Sequence, residues 1–167
     1  MLTTVDEDLV RQAHGVVDAL KRLRLTVVTA ESCTGGLIAA LLTYCPGASE
    51  CVQGGFVVYT KDCKAIALGV PRTVLRDEGS VNGRVAAHLA GGALERSSAD
   101  IALAVTGVLG PDPDEDGNPA GRVFFCVASR RHAPVIAQNH FSENEPDGVR
   151  RAVIVRALAL LGETIQR

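Results

Sequence analysis

The sequence predicts an α/β protein, a three-layer α/β/α sandwich around a mixed, mostly parallel sheet of about five strands, one of them antiparallel. Three observations carry this. Apolar segments with helical spacing alternate with short β-branched runs over the first two thirds of the 167 residues, the pattern of βαβ units whose crossover helices cover a parallel sheet. One run, Ile101–Thr106 (IALAVT), is apolar without interruption, as a strand covered on both faces should be. Two later runs separated by a polar turn read as a hairpin, which supplies the antiparallel strand.

In chain order, a first helix is expected over Val5–Leu23, with Leu9, Ala13, Val16 and Leu20 on one face and Thr4 placed to cap its start. A β-branched strand at Leu25–Ala30 runs into Glu31-Ser32-Cys33-Thr34-Gly35-Gly36. Leu37–Thr43 reads as a short buried helix ended by Pro46-Gly47. Gly55–Thr60 (GFVVYT) reads as the second strand and Lys61–Leu68 as another short helix. Val81–Arg96 is amphipathic, with Val85, Leu89, Ala93 and Leu94 inward. Gly107–Gly121 is a loop rich in Pro, Gly and Asp. Arg122–Ala128 and Pro134–Phe141 are the hairpin strands, joined at Ser129–His132, and a last helix covers Asp147–Thr164. No internal repeat or linker divides the chain, so residues 1–167 are expected to form one domain.

Composition narrows the function. With 17 Lys+Arg against 19 Asp+Glu, the chain has no general attraction for nucleic acid or an anionic membrane, so a charged ligand must be held by a local site. Aromatic residues are 4% and Trp is absent, which argues against a base-stacking surface. Cys33, Cys45, Cys51, Cys63 and Cys126 form an odd set with no C-x-x-C pair, against a zinc site or a disulfide framework and for a reducing cytoplasm. Asp6, Glu7 and Asp8 stand where a secretory signal would carry a basic start, and no apolar stretch approaches the length of a membrane span. A cytoplasmic location is expected.

Parallel sheets hold ligands beyond the C-terminal ends of their strands. Three such ends carry chemistry here: Glu31–Gly36, Tyr59–Lys64 and Thr106–Pro111. Ser32 lies at a strand-to-helix turn where Thr34, Gly35 and Gly36 can offer backbone N–H groups to an oxyanion, as a nucleophile elbow does, although the G-x-S-x-G string is absent. On position alone the plainer reading of Ser32, as a helix cap, is favoured. A nucleophilic Ser needs a base, and His14, His88, His132 and His140 all fall away from the loaded ends. Lys64 is the better candidate, since a desolvated lysine can lose its proton, and Tyr59 could relay that proton or orient a substrate. Against this stands the plain reading of Lys64 as a solvated helix residue. Cys33 is a competing nucleophile, or a small buried thiol. Asp112-Pro113-Asp114-Glu115-Asp116-Gly117 matches the opening of a calcium loop, but Val123 occupies the twelfth position, where a bidentate Glu belongs.

Taken together, Thr29-Ala30-Glu31-Ser32-Cys33-Thr34-Gly35-Gly36, Pro46-Gly47-Ala48-Ser49, Gly55–Thr60, Lys64, Leu68-Gly69-Val70, Thr106-Gly107 with Gly110-Pro111, and Pro119-Ala120-Gly121 resemble the C-terminal domain of the competence/damage-inducible CinA family over nearly the whole chain. The resemblance implies a three-layer sandwich with a mixed sheet. It also implies hydrolysis of the carboxamide of nicotinamide mononucleotide to nicotinate mononucleotide and ammonia, in pyridine-nucleotide salvage. The family's Ser nucleophile falls on Ser32, its Lys base on Lys64, its assisting Tyr on Tyr59, and its TG-x-x-GP loop on Thr106, Gly107, Gly110 and Pro111. Thr34, Gly35, Gly36 and Arg150 join these as expected substrate contacts. No metal or cofactor is implied. Family members associate, so a homo-oligomer is expected, with a small-molecule mononucleotide as ligand and neither nucleic acid nor membrane as partner. The pyrophosphatase-type domain of longer relatives is not among these residues.

Three departures bear on substrate binding more than on the nucleophile. Glu143-Asn144-Glu145 replaces the usual Gly-Asp-Arg, with Arg150 and Arg151 as the cations left to take over. Gly79-Ser80-Val81-Asn82-Gly83 replaces Gly-Ala-Val-Ser-Glu, and acidic Asp112–Asp116 replaces a glycine-rich stretch. These changes keep two further readings open: a mononucleotide-binding protein without catalysis, and an amidase with an altered substrate.

Overall fold

The computed structural model describes residues 6–142 and 145–166. Its first helix, α1, spans Glu7–Leu23. The Asp6 carboxylate accepts the N–H groups of Asp8 and Leu9 at 2.9 and 3.2 Å, donors that the first turn of a helix would otherwise leave without partners. Thr4, the expected cap, lies outside the described residues, as do Glu143 and Asn144.

Five strands follow: β1 (Val27–Glu31), β2 (Val52–Val57), β3 (Ile101–Gly107), β4 (Arg122–Ser129) and β5 (Val135–His140). They form one sheet in the order β2-β1-β3-β4-β5. β1 pairs in parallel with β2 and β3, whereas β4 is antiparallel to both β3 and β5. The expected mixed sheet with one reversed strand is therefore present. The helices are α2 (Leu37–Tyr44), α3 (Lys61–Leu68), α4 (Arg72–Asp77), α5 (Gly83–Glu95) and α6 (Pro146–Ile165). Among the described residues no helix is long and apolar enough to cross a membrane.

Alternation along the strands divides the interior into two cores. Ile101, Leu103 and Val105 of β3, with Val123, Phe125 and Val127 of β4, pack against α1, α2 and α6. The opposite faces are small: Ala102, Ala104, Cys126 and Ala128 pack under α5 with Val85, Leu89 and Ala93. Small side chains let α5 lie close to the sheet, and Gly92 lets it lie close to α3. A Cβ on Gly92 would sit 2.0 Å from the Leu68 carbonyl oxygen.

Two elements depart from the sequence pattern. The second strand covers Val52–Val57 rather than Gly55–Thr60. A register shift between Val27 and Val28 accommodates an extra β2 residue beside Gly54, whose φ of 132° suits glycine alone. One more bond, from Val58 N–H to the Glu31 carbonyl, carries the pairing past Val57 to the end of β1, and Thr60 turns away to cap α3 by accepting the Cys63 N–H at 3.1 Å. The unexpected helix α4 is only 6 residues long, too short for a helical period to show. It is seated by Val74 and Leu75, both buried.

Candidate active site

The parallel pairing brings the three loaded strand ends to one edge. Glu31 lies opposite Val57 on β2 and Val105 on β3. Continuing past the strands, Ser32 N–H donates to the Val105 carbonyl at 3.1 Å and Val58 N–H to the Glu31 carbonyl at 2.8 Å. Ser32, Tyr59 and Thr106 thus become neighbours although they lie far apart in the chain.

Lys64 occupies the first turns of α3, a helix that begins where the Tyr59–Thr60 segment leaves the sheet. Its side chain is 1% exposed. Nζ lies 3.0 Å from Ser32 Oγ and donates to the Tyr59 carbonyl at 2.7 Å. No carboxylate pairs with it among the described residues. Burial penalises the ammonium and holds its pKa below the ordinary lysine value, and the positive charge of Lys61 acts in the same direction. Lys61, one helical turn earlier, has the opposite fate. Its hydrogen bond to Asp116, at 2.6 Å, and another to Glu115 hold its pKa above the ordinary value. The two lysines are therefore shifted in opposite directions, Lys61 toward the ammonium and Lys64 toward the free amine.

Ser32 is itself buried, at the floor of an open cleft with two lobes. One lobe, of about 490 Å³, is walled by Lys61, Ser80, Thr106 and Glu115. The other, of about 670 Å³, is walled by Cys33–Gly35, Val108–Gly110 and Arg150. Ser32, Tyr59, Gly107 and Asp114 line both.

The expected site residues take up different positions within this arrangement. Gly107, Gly110 and Arg150 face the larger lobe, and Arg150 also pairs with the exposed Asp147. Arg151 points elsewhere, to Asp6 and Asp8 at the start of α1. It does not take over for a missing cation. Thr34 and Thr106 are buried, and their hydroxyls donate to Glu31 at 2.7 Å and to the Ser80 carbonyl at 2.9 Å. Both are committed to the frame of the site. Gly35 and Gly36 have positive φ of 63° and 92°, conformations that fold the chain tightly between β1 and α2. The Gly35 N–H donates to the Ser32 carbonyl at 3.1 Å, so it is not the free donor that the sequence implied. The N–H groups of Thr34 and Gly36 have no hydrogen-bond partner among the described residues. Tyr59 meets Lys64 through its carbonyl, while the residue is 75% exposed; the phenol forms no hydrogen bond with Lys64. Cys33 packs against the core on the α2 side, and burial pushes its thiol up to about 12. It is not a ready thiolate.

Two contributors escaped the sequence reading. Glu31 is fully buried, and its carboxylate accepts four hydrogen bonds: Thr29 Oγ1 at 3.0 Å and Ala39 N–H at 2.8 Å on one oxygen, Thr34 Oγ1 at 2.7 Å and Ile38 N–H at 3.0 Å on the other. It caps α2 from the end of β1 and ties down the loop that carries Ser32. The available signal was an acid ending an apolar strand just before Thr-Gly-Gly and a helix. The second contributor is the acidic loop. Asp116 accepts from Lys61 and from the Ser80 N–H at 3.1 Å, and Asp114 accepts from the Asp116 and Asn118 N–H groups at 3.0 and 2.8 Å. These bonds fold the loop onto α3 and the Gly79–Ser80 turn as one wall of the cleft.

The chain is similar to known proteins in sequence and fold. Residues 10–165 match the CinA C-terminal domain. The chain belongs to that family. The nicotinamide-nucleotide amidohydrolase PncC of Escherichia coli is 37% identical over 156 residues, covering 93% of this chain and 94% of PncC. A putative competence-damage inducible protein of Symbiobacterium thermophilum is 40% identical over 163 residues, 93% of this chain but 38% of that longer protein. A Caldicellulosiruptor bescii protein of the same description is matched over only 30% of its length. The crystal structure of the competence/damage inducible protein CihA from Agrobacterium tumefaciens superposes with a TM-score of 0.92 at 35% identity, covering 99% of this chain and 100% of CihA. The CinA-family resemblance and the sandwich fold are thereby shown.

Proposed function

We propose that this CinA-family chain hydrolyses the carboxamide of nicotinamide mononucleotide to nicotinate mononucleotide and ammonia, with Ser32 as nucleophile and Lys64 as base. The observation that carries the reading is the 3.0 Å contact between Ser32 Oγ and a buried Lys64 Nζ that has no carboxylate partner among the described residues. As a free amine, Nζ can donate to the Tyr59 carbonyl and accept the Ser32 O–H. Ser32 then attacks the carboxamide carbon while its proton passes to Lys64. The Thr34 and Gly36 N–H groups are the candidate donors to the developing oxyanion. Collapse breaks the C–N bond, and the proton on Lys64 goes to the leaving nitrogen, which departs as ammonia. Water, deprotonated by the same amine, attacks the Ser32 ester; the acid leaves and Ser32 regains its proton.

Arg150, on the larger lobe, is the proposed contact for the substrate phosphate. One observation favours a second reading, an amidase for a less phosphorylated substrate: the carboxylates of Asp114 and Glu115 also line the cleft. Ammonia release from nicotinamide mononucleotide and from nicotinamide riboside, assayed side by side with identification of the acid product, tests both. A preference for the mononucleotide supports the proposal, a preference for the riboside supports the second reading, and no product from either refutes the amidase. Self-association and a cytoplasmic location belong to the same proposal; light scattering and cell fractionation test them.

A further inference from the structure

Tyr59 stands at the junction of the two lobes, beside Ser32. Among the described residues it is the one aromatic side chain lining either lobe. The residue is 75% exposed, which leaves a large aromatic side chain in water. The carbonyl alone holds Lys64 Nζ, and any amino acid would supply a carbonyl. Holding the base therefore does not explain an aromatic side chain at this position. Asp114 lines both lobes at the same junction, and although its carboxylate is held by Asp116 and Asn118, its negative charge lies near a ligand ring placed there.

We propose that the Tyr59 ring is a stacking platform that selects a cationic aromatic ring, so that the cleft prefers a carboxamide on a quaternary pyridinium to the same carboxamide on an uncharged ring. This rests on the amidase reading, which places the carboxamide at Ser32 and its ring at the junction. The negative face of an aromatic ring attracts a cation, an advantage of between about twofold and thirtyfold in affinity. A platform acts on binding. A phenolic proton relay would act on turnover and would require the hydroxyl.

Two measurements test the platform. The chain has 2 Tyr and no Trp, so Tyr44→Phe, at the distal end of α2, leaves Tyr59 as the only tyrosine emitter. Titrating that protein with N-methylnicotinamide cation should quench its emission saturably, at about tenfold lower concentration than neutral nicotinamide requires. In steady-state assays with nicotinamide mononucleotide, Tyr59→Leu should raise KM about tenfold with a much smaller change in kcat, and Tyr59→Phe should restore most of the loss. Equal quenching by the two ligands, an unchanged KM in Tyr59→Leu, or a Tyr59→Phe protein as impaired as Tyr59→Leu would each overturn the platform. The quenching needs no turnover. Cation-selective quenching in a protein that releases no ammonia would sink the amidase and leave the platform standing, and ammonia release without selective quenching would do the reverse.

Discussion

Replacing Glu31 by Gln probes the buried carboxylate that shapes the nucleophile loop. Each carboxylate oxygen receives one backbone N–H and one threonine hydroxyl: Ala39 and Thr29 on one side, Ile38 and Thr34 on the other. A threonine hydroxyl can rotate and accept from an amide. A backbone N–H cannot, so whichever way the Gln amide is turned, its NH2 faces a second donor. The variant loses one bond to a charged acceptor, weakens the others, and leaves a buried N–H unsatisfied, at a cost of about 2–3 kcal/mol. In a chain of this length that lowers Tm by about 4–12 °C. Glu31→Ala removes all four bonds and costs about 4–5 kcal/mol. Urea denaturation followed by circular dichroism reads both, as a lower midpoint with an unchanged slope. A Gln variant within about 0.5 kcal/mol of the parent would refute an acceptor-only carboxylate at this position.

Other consequences follow from the same geometry. Burial lowers the Lys64 pKa in the folded chain, so over the range between that lowered value and 10.5 the unfolded chain binds more protons and stability rises with pH. Lys64→Met should abolish that rise, so the difference in denaturation midpoint between variant and parent should change steadily with pH over the range between the lowered value and 10.5; parallel pH profiles would contradict the assignment. Lys64→Arg should lose ammonia release at every pH between 6 and 10, because a guanidinium does not give up its proton in this range; a variant that regains activity at high pH would count against a deprotonated base. Gly92→Ala should cost about 3 kcal/mol in a thermal melt, since its Cβ would meet the Leu68 carbonyl oxygen at 2.0 Å; an unchanged Tm would mean that α3 and α5 separate freely.

The fold was legible where local pattern and burial agree. The helix at Lys61–Leu68 has the bounds read from the sequence, although Thr60, read there as the end of a strand, turns out to cap it, and β3 is buried from Ile101 to Thr106 as its unbroken apolar run requires. β2 was misplaced because its limits depend on the partner strand and on the register shift at Gly54, which are long-range facts. Ser32 and Lys64 were legible as chemistry at two strand ends, but their contact depends on how α3, leaving the end of β2, brings Lys64 to the turn after β1. Whether Tyr59 acts through its carbonyl or its phenol depends on one backbone direction, which no residue pattern records. Glu31 reads as part of a motif, yet its partners Ile38 and Ala39 are backbone groups and leave no mark in the sequence.

Ammonia release from nicotinamide mononucleotide by the parent chain and by Ser32→Ala, both shown to be folded, tests the central claim most directly. Release by the parent, lost on removal of one hydroxyl, is the predicted result. Turnover by Ser32→Ala at the parent rate would contradict the Ser32–Lys64 account.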